Sequence, residues 1–247
     1  MSGGWVLVTG AGRGIGEAVA RSLAASGYDL ILWSRTAGAL NGVAGRARDL
    51  GVRVRTAVVD VGDSAEVDAA ARRTLDAADP LAGVVLNAGH GRWSALADLD
   101  PAEWERTIGT NLSGAYHTLR ATLPLLTAAP GGLVVGMLSD SALYPFTGRA
   151  AYSASKAGLH AMLDVARRET RSHGVRVSAV LPSRVDTFFE GGHPDAVPGT
   201  RAGALSADHV AEVVAGLFAL PPTVEIRNIQ LAAMTSTYGL LPERIQP

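Results

Sequence analysis

Tyr152 and Lys156 stand four residues apart in "GRAAYSASKAG" (148–158), after a small, flexible lead-in. In a helix that spacing puts both side chains on one face. A phenol and an ammonium held together can do proton chemistry. The free phenol, with a pKa of about 10, exchanges its proton poorly near neutrality. Lowering it by about three units takes roughly 4 kcal/mol of preference for the phenolate. An adjacent ammonium, at an effective dielectric of about 20, supplies energy of that order. The plainer reading of any YxxxK is a surface aromatic beside a solvated lysine. The rest of the chain has to supply the second reactant.

"TGAGRGIG" (9–16) supplies a place for one. Gly10, Gly14 and Gly16 are spaced G-x-x-x-G-x-G, one residue longer than the usual dinucleotide fingerprint. A tight turn there brings bare backbone against a pyrophosphate, and a helix starting near Gly14 offers it unpaired N–H groups. The second strand should end beside the adenosine ribose, where a carboxylate would bind the hydroxyls of NAD. This chain has Ser34 and Arg35 instead, with Arg13 inside the glycine turn and no competing carboxylate in sight. Two guanidinium groups at that point suit a 2'-phosphate, hence NADP(H). Asp60, closing the third strand, can accept from the adenine amino group. Asn87, Ala88 and Gly89 close the fourth and keep the ribose near backbone. With a nicotinamide bound, the protein has to provide a proton and an oriented substrate. Ser139, at the end of the fifth strand, can hydrogen-bond the substrate oxygen, while Asn111 is an unfavourable mid-helix asparagine that gains interest only from its company.

The elements that would position these residues alternate along the chain. Short apolar runs at 5–10, 29–34, 52–60, 81–89, 131–139 and 175–182 read as strands, and 223–234 adds one more. Helical stretches at 16–27, 36–51, 64–78, 101–124, 151–172 and 206–219 lie between them, the second weakened by internal glycines. Strands apolar on both faces and alternating with helices predict a parallel sheet covered on both sides. The 247 residues show no compositional break, so a single α/β domain, doubly wound, is expected over 1–247. The irregular stretch 186–204 is long enough to be a substrate-binding loop. Apolar residues make up 47% of the chain and the formal net charge is -1 without charge blocks, which gives no basic patch for nucleic acid. There is no cysteine, so thiolate catalysis and zinc–thiolate sites are excluded, and a metal site is not expected from the isolated histidines. The N-terminus reads as a first strand rather than a signal peptide, and no apolar run is long enough to span a membrane, so a cytoplasmic protein is expected.

In order and spacing, "TGAGRGIG", "LNAG", Asn111, Ser139 and "YSASK" make the chain resemble the short-chain dehydrogenase/reductase family over nearly its whole length. The resemblance implies a Rossmann-type, three-layer fold with a sheet of about seven strands, and a catalytic tetrad of Asn111, Ser139, Tyr152 and Lys156. In it Tyr152 is the acid in reduction and the base in oxidation, and Ser139 holds the carbonyl or hydroxyl. Lys156 lowers the tyrosine pKa and binds the nicotinamide ribose, and Asn111 holds a water linking the lysine to solvent. The implied NADP(H) cleft takes Gly10, Arg13, Gly14, Ile15, Gly16, Ser34, Arg35, Asp60, Val61, Asn87, Ala88, Gly89, Tyr152, Lys156, Pro182, Val185 and Thr187. The family also implies a homodimer or homotetramer paired through the helices at 101–124 and 151–172. The same fold is compatible with a non-catalytic NADP-binding regulator, or with an epimerase or dehydratase.

Three places depart from the family pattern. Leu86 replaces the first asparagine of N-N-A-G. Ser183 in "LPSRVDT" replaces a glycine, and would be strained by about 1–2 kcal/mol if that backbone needs positive φ. The C-terminal part is looser, similar to the branch holding 3-hydroxy acid and serine dehydrogenases and some antibiotic-pathway aldehyde reductases. The expected substrate, a small carbonyl compound or alcohol, would meet His90, Trp93, Asp140, Leu143, Tyr144, Phe188, Phe189 and His193, which favours an apolar or aromatic group. Arg149 and Arg184 are candidates for meeting a carboxylate, against the ordinary reading of each as a solvated arginine.

Overall fold

The computed structural model describes residues 3–76, 80–128, 130–189 and 197–234. Its centre is a sheet of seven parallel strands: β1 (Trp5–Thr9), β2 (Asp29–Ser34), β3 (Val54–Val58), β4 (Leu81–Leu86), β5 (Leu133–Met137), β6 (Arg176–Pro182) and, after the short pair β7 (Val185–Asp186) and β8 (Leu205–Ser206), β9 (Asn228–Leu231). They lie in the order β3-β2-β1-β4-β5-β6-β9. All of β1, β5 and β6 are buried, as strands packed on both faces must be. Two apolar clusters fill the two faces. One holds Trp33, Leu119, Leu159 and Leu163, the other Val19, Leu23, Leu40 and Val214.

The helices are α1 (Gly14–Ala25), α2 (Ala37–Asp49), α3 (Ser64–Thr74), α4 (Pro101–Ile108), α5 (Gly114–Thr127), α6 (Ala150–Thr170) and α7 (Ala207–Ala219). Local chemistry sets their starts. The Asp63 carboxylate accepts from the N–H groups of Ala65 and Glu66, Asp100 caps α4 ahead of Pro101, and Ser206 forms a capping box with His209. The glycines of α2 do not break it, because Leu40, Val43, Ala44 and Ala47 still supply a buried stripe.

The helix expected over 101–124 is instead two. Between α4 and α5 the chain takes one wide π turn over Gly109–Ser113, which contains Asn111. Gly114 follows it against Val61, where a Cβ would lie 2.6 Å from Val61 Cγ2. Short insertions of this kind are often found at functional sites. The helix then runs through Pro124 to Thr127.

The chain runs from β1 outward to β3 and then crosses back to β4 beside β1. That reversal opens a crevice beyond the carboxyl ends of β1 and β4, where ligands of such sheets bind.

Candidate active site

A cleft of about 690 Å³ occupies the crevice. Gly10, Arg13, Gly14, Ile15, Ser34, Arg35, Asp60, Val61, Asn87, Ala88, Gly89, Tyr152, Lys156, Pro182, Val185 and Thr187 all line it, as does Ser139. Of the expected cofactor residues only Gly16 lies behind the wall. It has to be bare: a Cβ there would stand 2.3 Å from the Gly10 carbonyl oxygen and 2.5 Å from Asn87 Nδ2. Gly10, at φ +65, is pressed against Ala88, and Gly14 takes φ +58. Gly16→Ala is therefore expected to lower Tm by on the order of 5 °C and to weaken dinucleotide binding. Thermal melts and a fluorescence titration read the two effects.

Asn87 holds this turn together. Its side-chain amide donates to the carbonyls of Thr9 (3.0 Å) and Gly10 (3.2 Å). The Thr9 hydroxyl in turn accepts from the N–H groups of Asn87 and Ala88. Leu86, in place of the family asparagine, is simply a core residue, 3% exposed.

Where the sequence reading expects the ribose, a carboxylate does compete for Arg35, contrary to that reading. Asp60 Oδ2 lies 3.7 Å from Arg35 Nη1, both side chains being about half exposed. Such a pair is held weakly. The other Asp60 oxygen accepts from the Gly62 N–H. Arg13 lies over the Phe188 ring, 5.8 Å from its centre.

At the other end Ser139, Tyr152 and Lys156 converge at the carboxyl end of β5. Lys156 is 3% exposed, and its Nζ donates to the Met137 carbonyl at 2.8 Å. Burial pushes its pKa down to about 8. Burial pushes the Tyr152 hydroxyl up to about 12; the Ser139 hydroxyl opposes this rise, the Asp140 charge adds to it, and Arg149 opposes it. The lysine, 5.7 Å from the centre of the tyrosine ring, is not among the groups that move that hydroxyl. The expected depression of the tyrosine pKa by Lys156 is thus not a property of the cofactor-free protein. Desolvation wins: it acts unopposed on Lys156, and on Tyr152 it outweighs the opposing pulls of Ser139 and Arg149.

Ser139 donates to Asp140 Oδ1 at 2.9 Å and accepts from the Ser141 N–H at 3.2 Å. Asn111 is 1% exposed and acts as a strut. Its Oδ1 accepts from the His90 N–H at 2.6 Å, and its Nδ2 donates to the His90 carbonyl (2.8 Å) and to Ser155 Oγ (2.9 Å). Both amide hydrogens are engaged, tying the loop after β4 to α6.

The substrate end differs from expectation in part. Trp93, Asp140, Phe188 and Phe189 line the cleft, while Leu143 and Tyr144 are exposed beyond it. His90 points away and pairs with Glu103 at 3.0 Å, which holds the Glu103 carboxyl below its usual range. His193 and much of the 186–204 loop lie outside the described residues. Trp93 and Phe189 pack on Tyr152, with ring centres 5.3 and 5.6 Å from it. Phe146, Arg149 and Arg201 also line the cleft. Ser183 carries no left-handed strain, since no described non-glycine residue has positive φ. Its N–H donates to the Leu231 carbonyl at 2.7 Å, and its buried Oγ has no partner.

The short chain dehydrogenase family model matches residues 4–196. The chain belongs to the short-chain dehydrogenase/reductase family. It is an oxidoreductase dependent on a nicotinamide dinucleotide. An alcohol dehydrogenase from the archaeon Thermococcus sibiricus, solved with 5-hydroxy-NADP, superposes with a TM-score of 0.89 at 31% identity, covering 96% of this chain and 99% of that one. A metagenomic short-chain oxidoreductase in complex with NADP gives 0.80 at 33% identity, over 93% and 96%. A sulfoacetaldehyde reductase of Chromohalobacter salexigens is 32% identical over 240 residues, covering 92% of both chains. A glycine betaine reductase of Emericella nidulans is 36% identical over 196 residues, but this chain spans only 15% of that protein's length. Among the described residues no helix is long and apolar enough to cross a membrane.

Proposed function

We propose that this dehydrogenase/reductase uses NADP(H) to interconvert a small carbonyl compound and its alcohol, with Tyr152 as the proton donor and acceptor. The observation that carries this reading is one cleft holding the bare glycine turn and two arginines at one end, and Ser139, Tyr152 and Lys156 at the other. The residues present fit a dinucleotide, because Gly10, Gly12 and Gly14 face the cleft with bare backbone, and the turn they form is so tight that a Cβ on Gly10 or Gly16 would clash within it. Two similar enzymes solved with NADP or an NADP derivative support the choice of cofactor.

When bound, the nicotinamide supplies or accepts the hydride. Everything else falls to the chain. Arg13 and Arg35 take the 2'-phosphate, with Ser34 and the backbone of the glycine turn around it. Asp60 and Val61 flank the adenine, and Pro182, Val185 and Thr187 flank the nicotinamide. Lys156 holds the nicotinamide ribose. Ser139 orients the substrate oxygen toward Tyr152, whose neutral phenol gives up its proton as negative charge develops there. Asn111 keeps the loop after β4 and Ser155 of α6 at a fixed separation. Exposed Tyr116 on α5 and Val165 on α6, each 52% exposed, support a homodimer or homotetramer formed through those helices. The setting is cytoplasmic.

NADPH oxidation against a panel of aldehydes, aryl ketones, 3-oxo acids and 3-oxo esters tests the reading. Turnover on a carbonyl class with NADPH supports it; tight NADPH binding without net turnover of any carbonyl points to a regulator. Arg35→Ala is expected to weaken NADPH at least about tenfold and NADH less than about twofold, because it removes a charge-assisted bond to the phosphate and leaves Asp60 facing it. Equal weakening of the two cofactors in fluorescence titrations removes the 2'-phosphate assignment.

A further inference from the structure

Arg149 is held by its faces and left open at its edges. It sits just ahead of α6, its N–H donating to the Phe146 carbonyl at 3.2 Å and its carbonyl accepting from the Ser153 N–H at 2.8 Å. The Gly148 carbonyl accepts from the Ser94 N–H at 3.0 Å, which brings Trp93 alongside. The guanidinium carbon lies 4.6 Å from the centre of the Trp93 ring and 4.8 Å from that of Phe146. Two aromatic faces fix the plane of a guanidinium and leave its N–H fork to hydrogen-bond elsewhere. That fork has little to bond. Ser141 Oγ at 3.5 Å is at the limit of a hydrogen bond. No ion pair forms between Arg149 and any carboxylate among the described residues. Asp140, its acidic neighbour, has Oδ1 engaged by Ser139; burial raises its pKa and the Arg149 charge opposes that rise, so the two groups feel each other without closing an ion pair.

This fork lines the same cleft as Tyr152 and Ser139, and the Trp93 that carries it also packs edge-on against Tyr152. A surface arginine would be solvated and mobile. One whose orientation is fixed beside the reacting groups, with unused donors, suits a planar or tetrahedral oxyanion.

We propose that Arg149 selects the substrate, and that the substrate is a carbonyl compound or alcohol bearing an anionic oxygen group, a carboxylate or sulfonate, a few atoms from the reacting carbon. The proposal rests on the assignment of the Tyr152 end of the cleft to the carbonyl. The aromatic wall then packs the carbon chain between the two ends of the molecule.

The test pairs oxo acids and sulfonated aldehydes of increasing chain length with their uncharged amide or sulfonamide counterparts, in the wild type and in Arg149→Met and Arg149→Gln. The expected result is a kcat/KM ratio of anionic to uncharged substrate of at least about tenfold in the wild type at the best chain length, falling to about one in both variants. A wild-type ratio near one, or one that both variants keep, overturns the proposal and leaves the reductase reading standing. A second readout is independent of turnover: thermal protection of the NADPH-loaded protein by unreactive carboxylates and sulfonates of the same lengths, with the matching amides as controls. Protection by the anions in the wild type and not in the variants supports Arg149 even if no carbonyl is reduced. The same protection in all three proteins overturns it.

Discussion

Tyr152→Phe is expected to cut turnover by at least about 100-fold while the affinity for NADPH stays within about twofold. The substitution removes one oxygen. The ring contacts to Trp93 (5.3 Å) and Phe189 (5.6 Å) remain, so the wall of the cleft is kept. The loss falls on the proton. In the cofactor-free protein burial pushes the Tyr152 hydroxyl up to about 12, so at neutral pH the group is a protonated phenol. That form suits reduction, where a proton must be given to an oxygen gaining negative charge. Oxidation needs the phenolate, and must first overcome the same burial. The wild type should therefore gain oxidation rate with rising pH more steeply than reduction rate. Steady-state kinetics in both directions, with a fluorescence titration of NADPH, check the variant. Turnover above a tenth of wild type would mean that another group carries the proton.

The order of strands and helices was legible because each element is local: both faces of every central strand are apolar, and turn residues separate them. The glycine turn and the Tyr152–Lys156 pair were legible for the same reason, each being a short pattern with a fixed geometric meaning. What could not be read was set by contacts between distant segments. The π turn at Asn111 runs into Gly114, which packs closely on Val61, a residue far away in sequence. Asn111 becomes a strut only because His90 and Ser155 come to it from either side. Asp60 approaches Arg35 across neighbouring strand ends, which local sequence does not reveal. The strain feared at Ser183 depended on a backbone angle, and the residue type alone does not fix one. Arg149 looked like any solvated arginine because its contacts with the Trp93 and Phe146 rings, the first from another loop, exist only in the folded chain. The signs of the two pKa shifts were also beyond the sequence. Spacing shows that two groups are close; it does not show that both are buried.

Lys156→Met should lose most activity and yet make the cofactor-free protein more stable near neutral pH. The Lys156 ammonium is buried with the Met137 carbonyl as its hydrogen-bond partner, and its pKa falls from 10.5 to about 8. A base with a lowered folded pKa destabilises the folded state wherever it is charged in both states. Below about pH 8 that cost is complete, about 3 kcal/mol, and it fades as pH rises toward 10.5, where the unfolded chain loses the proton too. Methionine keeps the length and apolar stem and removes the charge. It also leaves the Met137 carbonyl without its donor, which returns about 1 kcal/mol of the gain. The net rise in Tm at pH 7 is then a few degrees, at about 2–4 °C per kcal/mol for a domain of this size. Above about pH 10 the sign should reverse, because the wild type no longer carries the cost while the variant still lacks the hydrogen bond. Lys156 is the single lysine of the chain, so selective isotope labelling of lysine gives one side-chain signal whose titration reads the pKa directly. A midpoint near 8 together with a stabilised variant would establish that the site holds its cation at the expense of the fold, ready for a ligand to neutralise. A midpoint near 10.5, or a variant that melts lower at pH 7, would show instead that the ammonium is already compensated in the empty site.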